Sequence, residues 1–167
     1  MSSQRINTEC PIARTAAVAG DHWRLLILRD VLSGYRRFDE LRADLGIASN
    51  ILTQRLQVLV DDGFLERRPY ALHPRRDEYW PTPMAQDFRI VLAAMVQFGT
   101  AWLSPRGATV ALVSGRRDTP VKISPRDAHT GRERAWSSVR MVAGPAASHA
   151  LRARLETLRL RAKEMSE

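Results

Sequence analysis

The chain has 167 residues, 44% hydrophobic and 26% charged, and 26 Lys and Arg against 18 Asp and Glu give it a net charge of +8. That length suits one compact domain with a short appendage, and no run approaches the ~18–20 apolar residues of a membrane span. A single cysteine, Cys10, excludes an internal disulfide and any multi-cysteine zinc or iron–sulfur site.

Met1 to Cys10 holds one Arg and no apolar run, so no signal peptide is expected and the reading is cytoplasmic. Pro11 suits a first helical position, because its missing N–H would be unpaired there anyway. That helix ends at Gly20. Asp21 reads as the N-cap of a second helix, with Trp23, Leu26, Ile27 and Val31 along one stripe and Gly34 as its stop. A short third helix carries Phe38, Leu41 and Leu45 on its inner face and closes on Gly46. Only Gly46, Ile47 and Ala48 separate it from a fourth helix, for which Ser49 is the expected N-cap. Two short amphipathic helices joined by a tight Gly turn predict a helix-turn-helix.

In the fourth helix Leu52, Leu56 and Leu59 fall within a ~60° sector. Asn50, Thr53, Gln54 and Gln57 cover the other side, which is polar and uncharged. Leu65–Tyr70 and Asp77–Thr82 favour strands, and the Pro-bearing 71–76 segment favours a loop, so a hairpin with a basic tip is expected. Pro81 is expected to shorten its second strand. Thr82 and Pro83 open a fifth helix that runs to about Leu103. Its Phe88, Val91, Leu92, Met95, Val96, Phe98 and Trp102 spread around the circumference, more than ~100 residues can bury alone, so a partner subunit is expected.

Residues 1–103 carry 13 basic and 12 acidic side chains, and residues 104–167 carry 13 and 6. The excess charge therefore lies after the linker at 104–108. Three short β-like runs are expected there, Thr109–Ser114, Val121–Ser124 and Arg134–Val142, before a basic helix at about Ala147–Lys163 striped with Leu151, Leu155 and Leu158. The whole reads as α+β, mostly α: a winged helix-turn-helix with a dimerisation helix over 1–103, and a small C-terminal β-plus-helix extension over 104–167.

The chemistry of this order points to double-stranded DNA. A helix fits the major groove, where Asn and Gln match adenine edges and Ser and Thr donate or accept. Ser49, Asn50, Thr53, Gln54 and Gln57 are the candidate readers. Arg36 and Arg37 ahead of the third helix, and His73, Arg75 and Arg76 at the hairpin tip, are candidate phosphate or minor-groove contacts. Arg55 sits at the core edge and reads as a structural ion-pair partner. No metal-ligand pairing, Gly-rich phosphate loop or nucleophile elbow is present, so neither an enzyme nor a cofactor is expected.

Several stretches carry a resemblance: Cys10-Pro11 with Gly20 to Arg29, Arg37 to Leu41, Leu45 to Ala48, Leu52 to Leu56, Leu59 to Leu65, His73 to Arg76 and Glu78-Tyr79. Together, over about residues 10–103, they resemble the HxlR-type family of bacterial transcription regulators. The sequence departs from the family pattern at His22, Pro81, Ala85 and Phe98. The resemblance implies a homodimer built by the first and fifth helices, with Ile12, Val91, Leu92, Met95, Phe98 and Trp102 at its interface, on a pseudo-palindromic operator. Repression is the expected mode. Three alternatives stand beside this reading, the first of them also suggested by the resemblance. A thiol sensor of oxidants or electrophiles would act through Cys10, at the positive end of a helix. A ligand-responsive regulator of the MarR type would carry longer flanking helices. A protein-interaction winged helix would show an acidic or apolar outer face on the fourth helix.

Overall fold

The computed structural model describes residues 9–72 and 75–164. Helix α1 spans Pro11–Ala19, α2 His22–Ser33, α3 Phe38–Leu45 and α4 Ser49–Asp61. An antiparallel hairpin of β1 (Leu65–Leu72) and β2 (Arg75–Pro81) follows, then α5 (Pro83–Asp87) and α6 (Arg89–Trp102). Beyond them lie β3 (Val113–Ser114), β4 (Thr119–Pro120), a short 3-10 turn at Trp136–Ser138, and α7 (His149–Glu164). The fold is mostly helical with two small sheets, a winged helix-turn-helix followed by an extension.

Local chemistry sets the boundaries. Pro11 takes the first turn of α1. The Asp21 carboxylate accepts the Arg24 amide at 3.2 Å and caps α2. Glu40 accepts the amides of Arg36 and Arg37 at 3.0 and 2.9 Å, satisfying donors at the start of α3. Gly46 closes α3 at φ +60, a left-handed conformation that costs glycine least, and this turn swings the chain directly into α4.

Leucine and isoleucine spacing then builds one core. Ile27, Leu28 and Val31 of α2, Leu41 of α3, and Leu52, Leu56 and Leu59 of α4 are fully buried. Each such side chain contributes ~1.5–3 kcal/mol by leaving water. Phe64 and Phe88 meet edge to face, with ring centroids 5.5 Å apart, and fasten the hairpin and α5 to that core. Arg55 of α4 pairs with Asp21 at 3.0 Å, so one carboxylate both caps α2 and holds α4.

Several expectations are corrected. Ala48, not Ser49, is the N-cap of α4, because Ala48 holds the extended backbone and Ser49 is already helical. The hairpin loop is shorter than 71–76, since Ala71 pairs with Arg76 and Leu72 with Arg75. Pro81 does not shorten β2: it pairs with Leu65, and the Thr82 amide supplies the donor to Phe64 O at 3.0 Å. The fifth helix is broken at Phe88, where the Val91 amide bonds back three residues to Phe88 O and tightens the turn. The three β-like runs reduce to one hairpin of two-residue strands, and 134–142 contains the 3-10 turn. Alternating apolar residues make a strand only when a neighbour pairs with them. The last helix begins at His149, because Ser148 Oγ accepts the Leu151 amide at 3.2 Å.

Candidate nucleic-acid interface

The core stripe of α4 fixes what faces out. With Leu52, Leu56 and Leu59 buried, Ser49, Asn50, Thr53 and Gln54 are all exposed. Thr53 Oγ1 donates to Ser49 O at 2.8 Å, which orients its hydroxyl along the helix. Ser49 Oγ accepts from Arg42 of α3 at 3.4 Å. The side-chain amides of Asn50 and Gln54 make no hydrogen bond among the described residues. They stand one turn apart, each with a free donor and acceptor, the pattern that pairs with an adenine edge.

Gln57 is different. It is half-buried, its Nε2 donates to Asp61 at 2.6 Å, and its Oε1 accepts from Arg67 of β1. The Gln57 amide thus links α4 to the hairpin and is occupied at both ends.

The hairpin forms a wing beside α4, held by stacked cations. Arg37 bridges to Glu78 on β2, with the ion pair at 3.2 Å, and its guanidinium lies 4.5 Å from the Tyr70 ring centroid. Arg36 donates to Val31 O and to Tyr35 O and stacks 4.9 Å over Trp80. Arg68 stacks on the same indole at 4.6 Å. Such contacts contribute ~0.5–1 kcal/mol each at exposed sites. Arg36 is half-buried while Arg37 is exposed, so Arg37 alone of the two presents charge outward. Arg76 is exposed near the wing tip; His73 lies outside the described residues, and so does the side chain of Arg75.

The structure therefore leaves Ser49, Asn50, Thr53 and Gln54 exposed on α4 and Arg37 exposed ahead of α3, and assigns Arg36 and Gln57 to internal contacts. Sequence reasoning missed Arg42, whose position four residues before Gly46 marks it as a neighbour of the α4 N-terminus. It also missed Tyr70 and Trp80 as platforms for the wing arginines.

A second surface is apolar. On α6, Ile90, Met95, Phe98 and Trp102 are 65%, 49%, 60% and 77% exposed, and Ile12 of α1 is 66% exposed. Val91 is also exposed, while Leu92 packs against the core of its own chain. Cys10 is half-buried and is the N-cap of α1. Among the described residues no cluster of His, Cys, Asp and Glu could hold a metal, and no helix is long and apolar enough to cross a membrane.

Known proteins share this arrangement. The regulator Rv3095 of Mycobacterium tuberculosis, described as an uncharacterized HTH-type transcriptional regulator, is 36% identical over 102 residues, 60% of this chain and 65% of that protein. The chain thus spans just under two thirds of that relative's length. A solved Pseudomonas aeruginosa protein described as a candidate transcription factor (PA1374) superposes with TM-score 0.67 at 44% identity, over 87% of this chain and 100% of that one. A second candidate transcription factor, PA1607, gives TM-score 0.74 at 34% identity over 83% of this chain and 97% of that one. Residues before 104 alone cannot reach either coverage, so both likenesses include much of the extension. The HxlR-like helix-turn-helix family matches residues 18–107, which hold the helix-turn-helix, the wing and α6, and the chain belongs to that family.

Proposed function

We propose that this chain is a transcriptional regulator that binds double-stranded DNA sequence-specifically, as a homodimer on a pseudo-palindromic operator, and represses. The observation that carries the reading is the open amide face of α4. Asn50 and Gln54 are exposed and unengaged, on a helix whose opposite side is locked into the core. The positive end of α4, with Ser49 at its first turn, lies at the same side and suits a phosphate.

Asn50, Thr53 and Gln54 read base edges. Arg37, Arg42, His73, Arg75 and Arg76 hold the backbone and set register, while Arg36 and Gln57 fix the wing. A second copy covers Ile12, Val91, Met95, Phe98 and Trp102, which places two α4 helices one turn of DNA apart, ~34–36 Å.

The test is fluorescence anisotropy on DNA from upstream of its own gene. Asn50→Ala and Gln54→Ala are each expected to lose ~1–3 kcal/mol and to relax specificity at one base pair. Wild-type affinity and specificity in both variants would move recognition off α4.

A further inference from the structure

The segment after Leu103 is ordered without a core. No described residue from 104 to 162 is buried. Val110, Trp136, Val139, Met141 and Val142 are 58%, 63%, 50%, 70% and 69% exposed. Fixing a backbone costs ~1–2 kcal/mol per residue, which such a segment cannot offset by burial within its own chain.

The whole surface shows the same excess. The chain exposes 13054 Å², whereas a compact monomer of its 18.9 kDa exposes ~8,300 Å². Residues outside the described ranges, counted as fully extended chain, contribute at most ~2,100 Å² of that ~4,700 Å² difference. The remaining ~2,600 Å² matches what one protomer gives to a large obligate homodimer interface.

The extension is also tied back to α6 and to the residue two before α1. Gln97 of α6 accepts the Ile123 amide at 2.7 Å and donates to the Ile123 carbonyl at 3.1 Å, as a strand partner would. The Glu9 carboxylate, two residues before α1, accepts the Ser148 amide at 2.9 Å and ties the start of α7 to that end. Gln97 adjoins Phe98 in α6, and Glu9 lies three residues before Ile12.

We propose that residues 104–164 are a dimerisation arm that closes over a second copy of this chain, with Trp136, Val139, Met141 and Val142 against the other protomer. This rests on the homodimer reading and extends its interface beyond the helices. The basic residues of the arm suit phosphate, but an indole and a thioether among valines suit a protein surface, which favours the second copy over DNA as the occupant.

The test uses the full chain. Trp136 is replaced by the photoreactive p-benzoylphenylalanine, and equal amounts of ¹⁴N and ¹⁵N protein are mixed, irradiated and digested. Cross-linked peptides of mixed isotope are expected. In parallel, sedimentation follows a Met141→Asp, Val142→Asp double variant, checked for folding by circular dichroism. Its dimer dissociation constant is expected to rise at least ~10-fold. A dimer whose cross-links stay within one chain and whose constant is unchanged in the variant overturns the arm and leaves the homodimer standing. Cross-links that reach a second copy only when DNA is added also overturn it, and assign the arm to nucleic acid. A wild-type chain that sediments as a monomer overturns the arm and the homodimer reading together. Phe98→Glu separates the two: it is expected to weaken the dimer through α6 with the arm intact.

Discussion

The two parts of this chain handle the same kinds of side chain in opposite ways. Among the described residues every buried side chain lies between Ala19 and Phe88, while Trp136, Met141 and Val142 stay in solvent. The polar contacts follow suit. Before Leu103 they join distant elements: Arg55 to Asp21, Arg37 to Glu78, and Arg89 to the Leu32 carbonyl at 2.8 Å. After it they are mostly local, such as Arg134 to Asp127 or Arg152 to the Gly144 carbonyl. Burial is a property of a neighbourhood, not of a residue type. The first part makes its own neighbourhood, and the second has one only if another molecule supplies it.

The largest expected effect tests that contrast directly. Leu56→Ala removes a fully buried side chain and is expected to cost ~2–5 kcal/mol in urea unfolding. Trp136→Ala removes a larger side chain that is 63% exposed. At dilutions where the protein is monomeric it is expected to cost less than ~0.5 kcal/mol. Comparable losses in the two variants would mean that the extension is cored within its own chain.

Asp21 comes next, as the polar residue that couples α2 to α4. Asp21→Ala is expected to cost ~0.5–2 kcal/mol for the lost cap. The pH dependence has a definite sign. Burial pushes the Asp21 carboxyl up, but the Arg55 guanidinium and the Arg24 amide outweigh it, and the net shift is downward. A carboxylate lowered by folding stabilises above its ordinary value of 3.8, and loses that contribution as pH falls through its folded value. Urea midpoints measured from neutral to acid pH should therefore converge for wild type and Asp21→Asn in acid. A constant gap between them would remove Asp21 from the linkage.

How much of this was legible follows the same divide between local and distant causes. Pro11, Asp21, Gly46 and Thr82 act within a few residues of themselves, so the helix ends they set can be read from the chain. The buried stripe of α4 and the pairing role of Arg55 follow from helical period. What Arg36 and Gln57 do could not be read. Gln57 meets Arg67 only after the hairpin folds back, and Arg36 lies on Trp80, brought there by β2. A polar residue on an outward face looks the same in sequence whether it faces solvent or a wing. The strands expected after Thr109 failed for the complementary reason: only Val113–Ser114 found a partner, at Thr119–Pro120, while 121–124 and 134–142 pair with no strand among the described residues.

A smaller effect sharpens the boundary itself. Gln97→Leu removes both hydrogen bonds to Ile123 and keeps an apolar stem on α6. Each such bond is worth ~0.5–1.5 kcal/mol, and none of the core is touched. Amide exchange at Ile123 is expected to accelerate while exchange at Leu56 stays unchanged. Faster exchange at both would mean that the two parts unfold as one unit.

The smallest expected effect asks whether the extension has local structure before any partner arrives. Asp127 closes a tight loop, accepting the amides of His129 and Thr130 at 3.0 Å each and pairing with Arg134 at 2.8 Å. The Arg134 guanidinium first, and then those amides, lower its carboxyl from 3.8 to about 2. Asp127 is a partly exposed surface group, so the shift reports geometry and not a large stability. Its contribution is present above the ordinary carboxylate value and disappears as pH falls through about 2. A carboxyl-carbon NMR titration of dilute protein should place the Asp127 midpoint near that value, and Arg134→Ala should move it back toward 3.8. An ordinary midpoint in dilute wild type that falls only as concentration rises would show that even this loop is built by the second copy.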